Sequence, residues 1–162
     1  MNRFAHKGMT SRGIGGHWVW SPRMQQMARD NDIEAYVLPG GVIMQLMREV
    51  AAGRPGLITH VGLGTFVDPR FEGGRMNEGA KANLTEVIPI DGKDYLRYLP
   101  IPVSVALLRG SYADEDGNIS LEEEPANLDI YAMAAAAHNS GGKVFFQVKG
   151  RVPSNSMKAR EV

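Results

Sequence analysis

The stretch from residue 61 to residue 74, VGLGTFVDPRFEGG, is the part of the sequence on which the interpretation of the fold depends. It follows the apolar run LITHV at residues 57–61, which is typical of a buried β-strand. Gly62 and Gly64 allow positive φ angles, or a close approach of the backbone to a ligand. A long glycine-rich segment after a strand is a common binding site in α/β proteins, although an Ω-loop without such a role fits the spacing equally well.

The polar side chains of this stretch offer a hydroxyl, a carboxylate and a guanidinium that suits a carboxylate or phosphate; they are Thr65, Asp68 and Arg70. The spacing matches neither the GxGxxG pattern of dinucleotide-binding proteins nor the GK[ST] pattern of P-loops. A second glycine turn, LPGGV at residues 38–42, leads into a helix and points the backbone N–H groups of Gly40 and Gly41 towards an anion or carbonyl oxygen. Beside the first stretch, we expect it to form a second wall of a pocket above the carboxyl ends of the strands.

Length and composition indicate a soluble globular chain of one domain. The chain has 162 residues, of which 43% are hydrophobic and 22% charged. Eighteen basic and eighteen acidic residues leave no cationic field for nucleic acid or an anionic membrane. The sequence has no apolar run of the ~20 residues that a membrane helix needs, no secretory signal and no cysteine, so a cytoplasmic location is expected.

Alternating strand and helix patterns predict an α/β fold, in which a parallel-rich sheet is flanked by helices and carries one antiparallel hairpin insert. Residues 1–16 are expected to be a loop or truncated start with a short strand near 10–14, and residues 151–162 a disordered polar tail. Helices are predicted from the Ser21-Pro22 start to about residue 30, over 42–50 and over 128–138. Strands are predicted at 34–38, 57–61, 87–90, 95–99, 103–109 (the best buried-strand candidate), 119–121 and 143–148.

Several patterns have an ordinary structural interpretation. Residues 114–118, DEDGN, resemble the start of an EF-hand, but position six is Ile119 and position twelve is Pro125, so a turn is predicted. The run Glu122–Glu124 is interpreted as exposed acidic residues favoured by the N-terminus of the following helix, not as catalytic groups. The histidines lack metal-ligand spacing, so no metal site is predicted. The methionines at i, i+3 spacing, Met24, Met27, Met44 and Met47, are expected in the core, and one of Trp18 and Trp20 is expected to anchor the first helix.

Four ordered segments together resemble the family I coenzyme A transferases, closest to the alpha-type (first) domain of the acetate/propionate branch; they are residues 38–42, 61–74, 113–119 and 138–144. The resemblance extends from about Gly15 to Val148 and implies a single CoA-transferase-like domain over residues 17–150. It implies transfer of CoA between short carboxylic acids, with the acyl-CoA thioester as substrate and no bound cofactor. The family's nucleophile is a glutamate that forms a glutamyl-CoA intermediate and lies on a second, beta-type domain, which this sequence lacks.

The resemblance assigns substrate or CoA binding, without bond making, to seven positions: Gly40, Gly41, Gly62, Gly64, Thr65, Phe66 and Asp68. Two further features differ from the family pattern. The glycine-rich segment that opens the alpha-type domain is missing, so Met1 is expected to begin partway into that domain. Gly40 also stands where the family commonly has glutamine.

The resemblance implies a beta-type domain or subunit as partner, and an unpaired domain face is expected to favour an oligomer. Neither nucleic acid nor a membrane is expected to bind. Two alternatives remain open at this point: a truncated, non-catalytic ligand-binding or interaction module, and a sugar-phosphate-binding, isomerase-like domain suggested by fold analogy alone.

Overall fold

The structure is a computed structural model that describes residues 2–157, and these residues form two compact units. The first unit comprises Pro55–Pro100 and the described residues up to Leu46, and the second comprises Met47–Arg54 and the described residues from Ile101 onwards. Both units combine strands with helical segments, which confirms the predicted α/β class. The single domain predicted over 17–150 includes parts of both units and stays a prediction.

The first unit has a parallel strand pair and a three-stranded antiparallel sheet. After a 3-10 helix at Asn2–Phe4, its elements in chain order are β1 (Arg12–Gly15), α1 (Pro22–Arg29), β2 (Glu34–Val37), the start of α2 (Gly40–Ala51), β3 (Leu57–Thr59), β4 (Thr85–Ile90) and β5 (Lys93–Tyr98). β1 pairs with β2 in parallel, and the antiparallel sheet has the order β3-β5-β4. The short strand expected near residues 10–14 is present as β1, which pairs with β2.

The predicted antiparallel hairpin is present, and β3 pairs with it as a third strand. β4 and β5 are joined by Asp91-Gly92, both with positive φ (49° and 76°), as a tight two-residue hairpin turn requires. β3 pairs antiparallel with the other edge of β5, and Ile58 is 43% exposed. The prediction that the run before residue 61 is a buried strand is therefore wrong: β3 is a short edge strand with an exposed side chain.

Trp18 anchors helix α1, as expected for one of the two tryptophans. It is buried with Met24 and Met27 of α1, and its indole N–H donates to the carbonyl oxygen of Tyr36 at 3.2 Å. A Cβ at Gly13 would lie 2.6 Å from the Trp18 ring, so the strand needs glycine at that position. Trp20 is 82% exposed and has no part in this core.

The second unit contains two parallel strand pairs and one complete helix. Its elements are the end of α2, β6 (Val105–Arg109), β7 (Tyr112–Ala113), α3 (Ile130–Asn139), β8 (Lys143–Gln147) and β9 (Gly150–Arg151). β6 pairs with β8 and β7 with β9. Helix α3 covers one face of the β6–β8 pair, where Ala106 and Leu108 are buried. No helix in residues 2–157 is long and apolar enough to cross a membrane.

Three sequence predictions for the second unit need correction. β6 is buried on one face only, because its alternate residues Val105 and Leu107 are exposed. Residues 119–121 form no strand, only a single bridge between Ile119 and Ala113. The predicted tail contributes Arg151 to β9, whereas residues 158–162 lie outside the described residues.

Candidate functional site

The loop between β3 and β4 is organised around the carboxylate of Asp68, which is fully buried. Its Oδ2 accepts the backbone N–H of Gly64 at 2.9 Å and the Nη2 of Arg70 at 2.7 Å. Its Oδ1 accepts the backbone N–H and the Nε of Arg70, both at 3.0 Å. Arg70 in turn donates from Nη1 to Asp94 of β5 at 2.9 Å, which ties the loop to the antiparallel sheet.

These contacts fix the charge state of Asp68. The side-chain hydrogen bonds from Arg70 hold its pKa well below the usual carboxyl range, and the backbone N–H groups of Gly64 and Arg70 add to the effect against the opposing cost of burial. With four hydrogen bonds accepted, the carboxylate has its lone pairs committed to the loop. Asp68 therefore holds the loop in shape, and it is unsuited to act as a nucleophile or proton acceptor without breaking this cluster.

The first two glycines of the loop, Gly62 and Gly64, have different surroundings. Gly62 has φ +99°, and a Cβ there would lie 2.5 Å from both the Tyr98 hydroxyl and a Val67 methyl group, so packing alone requires glycine. Gly64 has φ +70°, and a Cβ there would meet no heavy atom within 4 Å, so open space adjoins its backbone. Of the two, Gly64 is the position where a ligand could approach the main chain.

Thr65 and Phe66 lie on the exposed part of the same loop. The Thr65 hydroxyl donates to the carbonyl oxygen of Gly62 at 2.8 Å, which stabilises the turn. The Phe66 ring is 49% exposed, and its carbonyl oxygen accepts the backbone N–H of Gly74 at 2.9 Å. Phe71 is also exposed, so the loop presents apolar rings to solvent beside its glycine backbone.

The second predicted wall lies at the start of α2. The helix begins at Gly40, directly after β2, and a Cβ at either Gly40 or Gly41 would meet nothing within 4 Å. Within the described residues, neither of their backbone N–H groups has a hydrogen-bond acceptor. First-turn N–H groups of a helix carry partial positive charge, so this end of α2 can receive an anion or a carbonyl oxygen.

The structure brings the two glycine segments together through Gly74. The backbone N–H of Val37, the last residue of β2, donates to the carbonyl oxygen of Gly74 at 2.8 Å. A Cβ at Gly74 would lie 2.7 Å from the Val37 carbonyl oxygen, so only glycine allows this approach. The end of the loop therefore lies beside Val37 at the carboxyl end of β2, three residues before Gly40.

Two acidic segments of the second unit have structural partners. The Asp114 carboxylate accepts the backbone N–H groups of Asp116 and Asn118 and the Asn118 side-chain amide, which confirms the turn. The interpretation of Glu122–Glu124 as residues at a helix N-terminus is wrong, because α3 begins only at Ile130. Glu123 instead accepts Lys149 Nζ at 2.6 Å, and among residues 2–157 no His, Asp and Glu side chains form a group of three placed to hold a metal ion.

A cavity of about 270 Å³ that no sequence motif predicted lies at the carboxyl ends of β6 and β8. Its lining has two cations and two anions, Arg109, Lys149, Glu123 and Glu124, together with Gln147 and Ser111. The lysine and the Tyr112 hydroxyl hold the pKa of Glu123 below its usual value. The signal that could have indicated this cavity is the position of Arg109 and Gln147 at the ends of two paired parallel strands.

The chain matches a known protein family over most of its length. The family model "Coenzyme A transferase" matches residues 1–149. The chain is 44% identical over 162 residues to the caffeate CoA-transferase of Acetobacterium woodii, which covers all of this chain and 31% of the relative. It is 32% identical over 107 residues to the alpha subunit of the acetoacetyl-CoA:acetate/butyrate CoA transferase of Clostridium acetobutylicum, covering 66% of this chain and 43% of that subunit.

Among solved structures, the acyl-CoA transferase of Escherichia coli O157:H7 in a thioester complex with CoA superposes with a TM-score of 0.96 at 38% identity. The match covers 99% of this chain and 33% of the E. coli chain. The chain thus spans about a third of the length of this enzyme and of the Acetobacterium relative.

Proposed function

Because the chain belongs to the coenzyme A transferase family, we propose that it is the alpha-type part of an enzyme that moves CoA between short carboxylic acids. The observation that carries this proposal is the pairing of two open glycine backbones. Gly64 lies on a loop clamped by Asp68 and Arg70, and this loop ends beside the strand that leads into Gly40 and Gly41.

In the proposed reaction, a glutamate on a beta-type domain outside this chain attacks the thioester carbonyl of an acyl-CoA. The carbon–sulfur bond breaks, the CoA thiolate leaves, and an acyl-glutamyl anhydride remains. The thiolate then attacks the glutamyl carbonyl of the anhydride, which releases the first carboxylate and leaves glutamyl-CoA. A second carboxylate repeats both steps in the reverse order, so no oxidant, metal or external proton donor is needed.

In the proposed reaction, this chain binds the acyl-CoA and polarises the carbonyl group that is attacked. Each attack places negative charge on a carbonyl oxygen, and preorganised backbone N–H groups are effective partners for such an oxygen. The N–H groups of Gly40 and Gly41 are available for this purpose among the described residues. Thr65 and Phe66 would line the same pocket, and Asp68 would act indirectly by fixing the position of Gly64.

The test is a hybrid enzyme in which this chain replaces the matched third of the Acetobacterium caffeate CoA-transferase. We expect the hybrid to transfer CoA from propionyl-CoA to labelled acetate, and the isolated chain to give neither turnover nor a covalent adduct in intact-mass spectra. A CoA-derived adduct on the isolated chain would contradict the placement of the nucleophile on another domain. Binding of acyl-CoA by the chain, combined with a folded but inactive hybrid, would favour a non-catalytic binding module.

A matched pair of glycines tests the role of the loop within the hybrid. Gly64 and Gly92 have similar positive φ angles, +70° and +76°, and open space around both. Alanine at either position therefore has the same backbone strain, of about 1 kcal/mol. We expect Gly64→Ala to lower kcat/KM at least ~10-fold, because the new methyl group occupies the proposed pocket, and Gly92→Ala to leave it unchanged. Equal kcat/KM values for the two variants would contradict the proposal that Gly64 lines the ligand pocket.

A further inference from the structure

Within residues 2–157, one face of the β6–β8 pair is exposed. Its outer face, defined as the side away from α3, consists of alternate residues from the two strands: Val105, Leu107, Arg109, Lys143, Phe145 and Gln147. Leu107 and Phe145 are direct neighbours across the pair and are 62% and 53% exposed, and Val105 is 49% exposed. On the opposite face, Ala106 and Leu108 pack under α3.

We propose that the outer face is a docking surface for an amphipathic α-helix that carries an apolar stripe flanked by acidic residues. Parallel strands are almost always covered on both faces, and the usual cover is a helix. Three large apolar side chains that adjoin one another are also more than the scattered exposure typical of a protein surface. The inference depends on the contacts of β6 and β8 and not on the proposed reaction.

The charges on the outer face distinguish between possible occupants. Lys143 lies opposite Val105 at one end of the pair, and Arg109 lies opposite Gln147 at the other end. The Arg109 side chain is 72% exposed, and its ion-pair partner Glu124 stands 3.9 Å away, beyond direct hydrogen-bond distance. The apolar centre is thus bordered by cations at two diagonal corners.

A second copy of this chain fits such a surface poorly. Two-fold association would bring two identical faces together, so four cations would border the contact without a carboxylate from either outer face. A helix with acidic residues at the margins of its apolar stripe would bury Leu107 and Phe145 and pair with the cations. The Acetobacterium and E. coli relatives are about three times as long as this chain, so they possess segments that could supply such a helix.

The test places a photo-cross-linker on the outer face of the hybrid enzyme described above. The substitution Phe145→p-benzoylphenylalanine keeps the aromatic body of the side chain. We expect irradiation to join residue 145 to a peptide outside the matched third, in which apolar residues recur at helical spacing beside acidic ones. A cross-link to the β6 or β8 peptide of another molecule would assign the face to a second copy and overturn the proposal.

Two leucines provide a matched control, because Leu107 and Leu128 are 62% and 64% exposed but only Leu107 belongs to the outer face. We expect Leu107→Asp to lower the cross-link yield by about tenfold, since a carboxylate would be buried against the apolar stripe, and Leu128→Asp to leave the yield unchanged. Equal yields in both variants would contradict the docking surface. Circular dichroism of each variant verifies that it is folded, and no step of the measurement requires turnover.

A second measurement uses the isolated chain and needs no hybrid to fold. Phe145 faces outward, whereas its neighbour Phe146 packs against the core under α3. Hydroxyl-radical footprinting should therefore modify Phe145 and spare Phe146 in the isolated chain, and should lose the Phe145 signal in the hybrid. Equal protection of both rings in the isolated chain at low concentration, or an unprotected Phe145 in a folded hybrid, would overturn the proposal.

Discussion

The substitution Asp68→Asn tests whether one buried carboxylate holds the loop between β3 and β4 in shape. Asparagine keeps the shape of the side chain but replaces one acceptor oxygen by an –NH2 group. That group would face N–H donors of Gly64 or Arg70, because the wild-type carboxylate accepts four hydrogen bonds from these two residues. The variant therefore loses the charge and leaves donors in the loop without acceptors.

The magnitude follows from these contacts. A hydrogen bond to a charged group contributes roughly 1.5–3 kcal/mol, and breaking a buried ion pair by removing one partner costs about 3–5 kcal/mol. Arg70 is half exposed, so water recovers part of its loss. We expect Asp68→Asn to lower the free energy of unfolding of the first unit by about 2–4 kcal/mol. Urea denaturation at pH 7 measures this, and hydrogen exchange of residues 61–74 should accelerate in the variant.

The pH dependence gives a sharper check than the magnitude. The pKa of Asp68 is lower in the folded chain than in the unfolded one, so the ionised carboxylate stabilises the fold above the unfolded pKa of about 3.9. This contribution is lost as pH falls below that value towards the folded pKa. The difference in unfolding free energy between wild type and Asp68→Asn should thus be constant between pH ~5 and ~7 and shrink below pH ~4.

Asp94→Asn serves as the control, because Asp94 is half exposed and contacts Arg70 through one nitrogen only. Its effect should stay within about 1 kcal/mol, as for other exposed ion pairs. If Asp68→Asn were as mild as this control, or if its effect did not change between pH ~7 and ~3, the loop would not depend on the Asp68 carboxylate.

Two further predictions concern the contact between the loop and β5. Gly62→Ala should lower the free energy of unfolding, measured by urea denaturation, by about 2–4 kcal/mol, because the new methyl group would clash with Tyr98 and Val67 at a positive φ. The control Gly92→Ala has a positive φ but no clash, so it should lower the free energy of unfolding by only about 1 kcal/mol. Burial, aided by the charge of Asp68, raises the pKa of Tyr98 to about 12. The difference between the absorbance titrations of wild type and Tyr98→Phe should therefore show one phenol that ionises near pH 12. The neutral phenol contributes to the free energy of unfolding below pH ~10, and this contribution should be lost as pH rises from ~10 to about 12. A midpoint near pH 10 for this phenol would contradict the burial of Tyr98.

Local turn and cap signals account for most of what the sequence predicted correctly. The Ser21-Pro22 pair marks the start of α1, Gly40 the start of α2, and Asp91-Gly92 the hairpin turn. Gly141, with φ +73°, follows the end of α3. In each case the residue type favours a backbone conformation by itself, so neighbours in sequence are sufficient to predict the element.

The features that the sequence did not predict depend on partners distant in the chain. Periodicity showed that β6 is apolar, but residue pattern alone does not reveal that α3 covers only one of its faces. The sheet that contains β3 is set by its pairing with β5, some forty residues later. The acidic run Glu122–Glu124 resembles residues at a helix N-terminus, whereas the ion-pair partner of Glu123 is Lys149, 26 residues later in the chain.

The state of Asp68 limits what the loop can contribute to chemistry. A carboxylate with its acceptors occupied and its pKa held low is a poor nucleophile, since each acceptor it frees breaks a contact with Gly64 or Arg70. The groups left for a ligand are the open backbone of Gly64 and the first-turn N–H groups of α2. In the proposed reaction the first-turn N–H groups of α2 would stabilise developing negative charge, whereas Gly64, whose N–H donates to Asp68, would leave space for the ligand. We therefore expect a loss of the Asp68 clamp to lower kcat of the hybrid through misplacement of Gly64. Asp68→Asn should accordingly reduce turnover while acyl-CoA still binds, whereas direct ligand contact by Asp68 would weaken binding in the same proportion.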